Sequence, residues 1–174
     1  MFESNRIRLR KLSEDDIPTY HLWRNDPEVM QTTSPILDTY SFEETEAFCK
    51  QIIHAANSKS YIIELKNDNL PIGITSLIQI DSYNQNAECI IDIGQKDYWG
   101  QGYGKEALTL LLNYAFRELN LHRVSLRVFS FNDKAIHLYK KLGFQHEGTC
   151  KEAIFRNGAW HDIELFALLQ PNYK

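Results

Sequence analysis

The chain has 174 residues, 43% of them apolar and 24% charged, which fits one globular domain over residues 1–174 and argues against disorder. Lys and Arg total 19 against 23 Asp and Glu, a net charge of −4, so no basic face for a nucleic-acid backbone is expected. The 3 Cys (Cys49, Cys89, Cys150) and 6 His are spaced for neither a disulfide framework nor a zinc site, and no apolar run is long enough for a leader or a membrane span. A reduced, cytoplasmic protein without a metal, a membrane or a nucleic-acid partner is the expectation.

In chain order, Arg6–Leu12 alternates polar and apolar residues and reads as a first strand. Ser13-Glu-Asp-Asp16 reads as a helix start that carries to about Asn25-Asp26-Pro27. The stretch Pro27–Tyr40 reads as irregular, and Ser41-Phe-Glu-Glu44 fits a capping box opening a second helix to about Ala56. Three strands follow, at Ser60–Lys66, Ile72–Ile80 and Ala87–Ile93, the first two joined by an Asn67-Asp68-Asn69 turn. After a glycine-rich loop, Ala107, Leu108, Leu111, Leu112, Ala115, Phe116 and Leu119 form one helical stripe. A strand at Val124–Phe129 and a helix at Asp133–Leu142, stopped by Gly143, come next. Two strands around Asn157-Gly158 close the chain. The order β-α-α-β-β-β-α-β-α-β-β predicts an α/β fold.

The loop Trp99-Gly-Gln-Gly-Tyr-Gly-Lys105 lies between a strand and an amphipathic helix. Glycines at 100, 102 and 104 permit positive φ and close backbone approach, and a helix N-terminus adds oriented N–H donors. That combination suits a phosphate or pyrophosphate. A P-loop needs four residues between its glycines, and a dinucleotide fingerprint reads Gly-x-Gly-x-x-Gly after a first strand. This loop has neither spacing.

With that loop the sequence resembles the GNAT N-acetyltransferases, whose loop reads Gln/Arg-x-x-Gly-x-Gly/Ala; Trp99 stands where Gln or Arg is usual. A second block, Asn132-Asp-Lys-Ala135 through Tyr139, Lys141, Gly143 and Phe144, is similar to that family's Asn-x-x-Ala-x-x-x-Tyr-x-Lys-x-Gly-Phe segment. Trp23-Arg-Asn-Asp-Pro27 resembles an N-terminal motif of the branch holding ribosomal-protein alanine acetyltransferases and spermidine acetyltransferases. The resemblance implies a mixed, mostly antiparallel sheet flanked by helices, with the fourth and fifth strands splayed around acetyl-CoA. It implies backbone contacts from Ile91 and Ile93 to the pantetheine. Gly100, Gln101, Gly102, Tyr103 and Gly104 would hold the pyrophosphate through main-chain donors, with Lys105 at the helix start and Trp99, Asn132 and Lys141 as further cofactor contacts. A homodimer is also compatible with this branch.

Acetyl transfer to an amine requires removal of an ammonium proton, stabilisation of the thioester oxygen, and a proton for the leaving thiolate. A phenol titrates near ~10, above a thiol near ~8.5, so Tyr139 on the inward face of its helix is the candidate acid. Glu88 is the candidate base, and Asp92, on the same strand face, could join it in a water relay. Cys89 reads as core, because no Cys–His pair is legible. In the family the acceptor enters between the first two helices and the last hairpin. Trp23, Glu28, Tyr83 and Trp160, with Asp26, Tyr40 and Phe155, would give an aromatic and acidic lining for a small or peptidic amine. A CoA-binding sensor without turnover is the alternative.

Overall fold

The computed structural model describes residues 1–173. Seven strands form one sheet: β1 (Ile7–Lys11), β2 (Lys59–Leu65), β3 (Pro71–Asp81), β4 (Asn86–Ile93), β5 (Arg123–Phe129), β6 (Gln145–Arg156) and β7 (Ala159–Leu169). Their order is β1-β2-β3-β4-β5-β7-β6. Among the described residues only β4 and β5 run parallel; every other neighbouring pair is antiparallel. The mixed, mostly antiparallel α/β sheet read from the sequence is therefore observed.

Five helices flank it: α1 (Ile17–Arg24), α2 (Pro27–Thr33), α3 (Phe42–His54), α4 (Tyr103–Arg117) and α5 (Asp133–Lys141). Helix α2 corrects the reading of Pro27–Tyr40 as wholly irregular. The Asp26 side chain accepts from the N–H groups of Glu28 and Val29, and Pro27 occupies the first turn, where its missing N–H costs nothing. With 7 residues, the helix is too short for its apolar period to register. The predicted first helix also divides. Glu14–Asp16 is a 3₁₀ turn, in which Asp16 caps the Ser13 N–H and pairs with Arg10, and α1 starts only after it.

Two cores sandwich the sheet. The stripe Ala107, Leu108, Leu111, Leu112 and Ala115 of α4 is fully buried against Ile63, Ile72, Leu77, Val124 and Leu126. On the opposite face Leu12, Trp23, Ile62 and Ile74 pack together beneath α1 and α3.

The two faces meet the site at β4 and β5. These strands pair over Asn86↔Arg123, Ala87↔Val124 and Glu88↔Ser125 and then part. Past that rung β4 stays with β3 as far as Gly73↔Ile93, and β5 stays with β7 as far as Phe129↔Ile163. The result is a V that opens toward the C-terminal ends of both strands. Side chains alternate along β4: Ala87, Cys89, Ile91 and Ile93 join the α4 core, while Glu88, Ile90 and Asp92 face the other way. Ile90 is 39% exposed in the middle of a seven-stranded sheet. Central strands are normally covered on both faces, so the α1 face of the V has an open floor.

Candidate active site

The glycine loop closes one side of the V. Gly100 (φ 73°) and Gly102 (φ 85°) occupy the left-handed region, which side chains rarely adopt. Gly102 is the N-cap of α4 and no side chain among the described residues caps that helix, so the first-turn N–H groups point outward unclaimed by a cap. A Cβ at Gly104 would meet only ordinary contacts, 3.6 Å to Leu138 and 3.8 Å to Ile91. The protein's own packing therefore gives no reason for glycine there, whereas a ligand lying against the turn does. Gln101 donates to the Asp97 carbonyl (2.6 Å), its own carbonyl accepts from Arg6 (3.1 Å), and the Arg6 guanidinium covers the Tyr103 ring at 4.2 Å. The Trp99 indole donates to the Ile93 carbonyl at 2.7 Å. Trp99 thus braces the loop against β4, and that carbonyl is already engaged.

From the far wall, α5 directs Tyr139 inward. Asn132 caps the helix by accepting from the Ala135 N–H (3.2 Å), and Gly143 (φ 95°) ends it. Tyr139 is 8% exposed, edge-on to Phe144 at 5.9 Å. Burial, then the neighbouring Cys89 and Asp92, push its hydroxyl well above the ordinary phenol range. It stays a proton donor at any working pH. Burial and the nearby Glu88 push the Cys89 thiol up to about 12, so it stays protonated too. Lys105 and Lys141 are both exposed, one on each helix that borders the V.

On the floor, Glu88 sits at the last paired rung with Arg127 Nε 3.8 Å from its carboxylate. Asp92 lies four residues further, inside the open part of the V. Burial raises its pKa to about 7, with no ion pair or hydrogen bond among the described residues to counter it. From α1, Tyr20 feels the Asp92 charge: burial and then Asp92 push its hydroxyl up.

The acceptor residues read from the sequence do not gather here as a set. Trp23 is buried against Gly94, where a Cβ would collide with the indole, so it is core. The Asp26 and Glu28 carboxylates each lie 2.9 Å from Lys96 Nζ, so neither is a free negative charge. Trp23 and Asp26 line a cleft of about 290 Å³ with Gly94, Gln95 and Lys96, on the β3 side of β4 and without any β5 or α5 residue. Tyr83 is 94% exposed on the β3–β4 turn, at the closed end of the V. Trp160 is largely exposed beside Phe155 at the hairpin tip.

Other residues line the open face instead. Ile90, Arg127 and Phe129 share the floor with Asp92. Arg156, buried at the end of β6, donates to the Ser34 carbonyl (2.6 Å) and lies 5.7 Å from the Phe129 ring. It ties the β6–β7 hairpin to the end of α2, and its Nε and Nη1 have no partner among the described residues. An exposed Ile in a central strand leaves no trace in a linear sequence, and Arg156 meets Ser34 across 122 positions.

A family model described as "Acetyltransferase (GNAT) domain" matches residues 6–145. The chain belongs to the GNAT acetyltransferases. The spermidine N(1)-acetyltransferase of Vibrio cholerae is 32% identical over 171 residues, covering 98% of this chain and 96% of the relative. The enzyme of that name from Escherichia coli K12 is 31% identical, covering 99% and 91%. A crystal structure of the Vibrio cholerae enzyme with CoA and spermine superposes with a TM-score of 0.89 at 30% identity, covering 98% and 99% of the two chains. The protein is an acetyl-CoA-dependent N-acetyltransferase. The loop fits that co-substrate: positive-φ glycines, an uncapped helix N-terminus and a Cβ-sized gap at Gly104 suit a pyrophosphate bound by main-chain donors. Among the described residues no helix is long and apolar enough to cross a membrane, and no three His, Cys, Asp or Glu gather as metal ligands.

Proposed function

We propose that this acetyltransferase transfers the acetyl group to a primary amine of an alkyl polyamine such as spermidine, by direct attack in a ternary complex. The full-length similarity to spermidine N(1)-acetyltransferases carries the acceptor class. The open floor of the V supports it from this chain's own residues, because an apolar Ile90 beside an unpaired Asp92 suits an alkyl chain that bears ammonium groups. Acetyl-CoA supplies the activated thioester. Around it, Gly100, Gly102, Tyr103 and Gly104 bind the pyrophosphate through their N–H groups, with Lys105, Lys141 and the Asn132 amide as outer contacts. Backbone groups of Ile91 and Ile93 meet the pantetheine. Tyr139 donates its hydroxyl proton to the departing sulfur. A β4 carboxylate, Glu88 or Asp92, takes the ammonium proton.

The test is thiol release with spermidine, spermine, an aminoglycoside and peptides bearing a free N-terminus. Polyamine turnover at a kcat/KM at least tenfold above the others is expected. Preference for a peptide would overturn the acceptor class, and silence with every amine would overturn turnover itself. A Vibrio cholerae spermidine N-acetyltransferase is described as dodecameric. On that basis we extend the dimer read from the sequence to a homo-oligomer, which light scattering would check.

A further inference from the structure

The geometry points to Asp92, rather than Glu88, as the group that takes the proton from the acceptor ammonium. This assignment rests on the acetyltransferase reading and names which β4 carboxylate serves it.

Two observations separate the two acids. Glu88 stands where β4 and β5 are still paired, whereas Asp92 stands beyond their parting, between Ile91 and Ile93. The even-numbered side chains of β4 face the α1 side of the sheet, so a carboxylate at 92 lies next to any thioester held along 91–93, on the acceptor's side of it. Glu88 has a cationic neighbour in Arg127, and Asp92 has none among the described residues. A carboxylate that is set into the sheet without a donor is costly, and an incoming ammonium is the counter-charge that relieves it. The floor offers an amine its way in: Ile90, between the two acids, is exposed on the α1 face.

The titratable groups facing Asp92 are Tyr20 from α1 and Tyr139 from α5, both neutral because burial raises their hydroxyls. From β3 its partner is Ile74, which does not titrate. Burial therefore sets the ionisation of Asp92 near neutrality, where a base is half available and still basic enough to take a proton. The step balances. One ammonium proton passes to the Asp92 carboxylate, and the freed amine forms the C–N bond as the C–S bond breaks. The Tyr139 proton goes to sulfur, and the second nitrogen proton returns to the Tyr139 oxygen. Asp92 then releases its proton to solvent.

The experiment is the pH dependence of kcat/KM for spermidine in the full chain, for wild type, D92N, D92E and E88Q. Wild type should lose activity as pH falls through about 7. D92N should fall at least about a hundredfold and lose that limb, while acetyl-CoA affinity, read by calorimetry, stays within about twofold. D92E should keep a limb at a displaced pH, which a merely structural aspartate would not produce. E88Q should keep the limb near 7. A limb retained in D92N, or abolished in E88Q, overturns the assignment. D92N removes a poorly solvated charge without changing shape and is expected to fold; if it does not, a D92E limb unmoved from wild type overturns the assignment by itself. Wild type inactive toward every amine would instead overturn the polyamine reading.

Discussion

The two sides of the V are built from different materials. The proposed cofactor side is backbone: two glycines with positive φ, an uncapped α4 and the edge of β4, supplied mainly by residues 91–104. The proposed acceptor side is side chains drawn from far apart: Tyr20, Ile90, Asp92, Phe129 and Arg156, on α1, β4, β5 and β6. Main-chain donors bind a pyrophosphate whatever side chains surround them, so that side depends on a short run of backbone geometry. A floor of side chains is specific to its amine and free to vary. The net charge of −4 fits this division, because pyrophosphate binding by N–H groups needs few Lys or Arg.

The largest expected effect lies where the two sides meet. Tyr139→Phe should lower kcat by roughly 10²–10⁴-fold, the range for loss of a positioned proton donor, with the acetyl-CoA KM nearly unchanged. The ring would still pack on Phe144, so folding should be retained. A KM effect without a kcat effect would make Tyr139 part of the cofactor wall instead.

On the floor, Asp92→Asn gives a stability effect with a defined sign. Burial raises the folded pKa to about 7 from 3.8, so between those values the folded state holds a proton that the unfolded chain has released. Stability conferred by the protonated form is present below pH ~4 and is lost as pH rises toward 7. Urea unfolding should therefore find Asp92→Asn more stable than wild type by roughly 2–4 kcal/mol at pH 8, with the gap closing below pH ~4. An equal gap at both ends would mean that the charge is solvated. For comparison, Gly104→Ala tests the backbone side. Ala should stabilise the first turn of α4 by up to about 1 kcal/mol, because its Cβ meets only ordinary contacts. Acetyl-CoA binding should weaken by about tenfold, since the methyl fills space kept for the ligand. A more stable protein with unchanged binding would show that the turn is not a cradle.

The contrast also explains what could be read from sequence. The loop and the Asn132–Phe144 block are contiguous, and their helix and glycine signals are local, so the strand–loop–helix order and the direction of Tyr139 were legible. Helix α2 was missed because its evidence is one cap and one proline over 7 residues. Burial and pairing are tertiary facts. Trp23 looks like a ligand-stacking aromatic until Gly94 is found beneath it, and Asp26 and Glu28 look like free acids until Lys96 arrives from 68 positions beyond Glu28. Asp92 was visible as a carboxylate on the face of Glu88. What marks it out is that β5 leaves β4 before reaching it.

The smallest expected effect concerns the aromatic residues that sequence placed in the acceptor site. Tyr83 is almost fully exposed on the β3–β4 turn, where Asp81 accepts from its backbone N–H at 2.9 Å and its ring is not needed for the turn. It stands at the closed end of the V, beyond Glu88 and the three paired rungs, so an amine on the floor at Ile90 and Asp92 cannot reach it along the sheet. Tyr83→Ser should therefore leave kcat, both KM values and unfolding stability within about twofold or 0.5 kcal/mol, the range for surface substitutions away from special features. A tenfold rise in the spermidine KM would mean that the acceptor approaches from the closed end. That route would pass Glu88 and Arg127 before Asp92, and the division between a backbone side and an open side-chain floor would have to be redrawn around the turn.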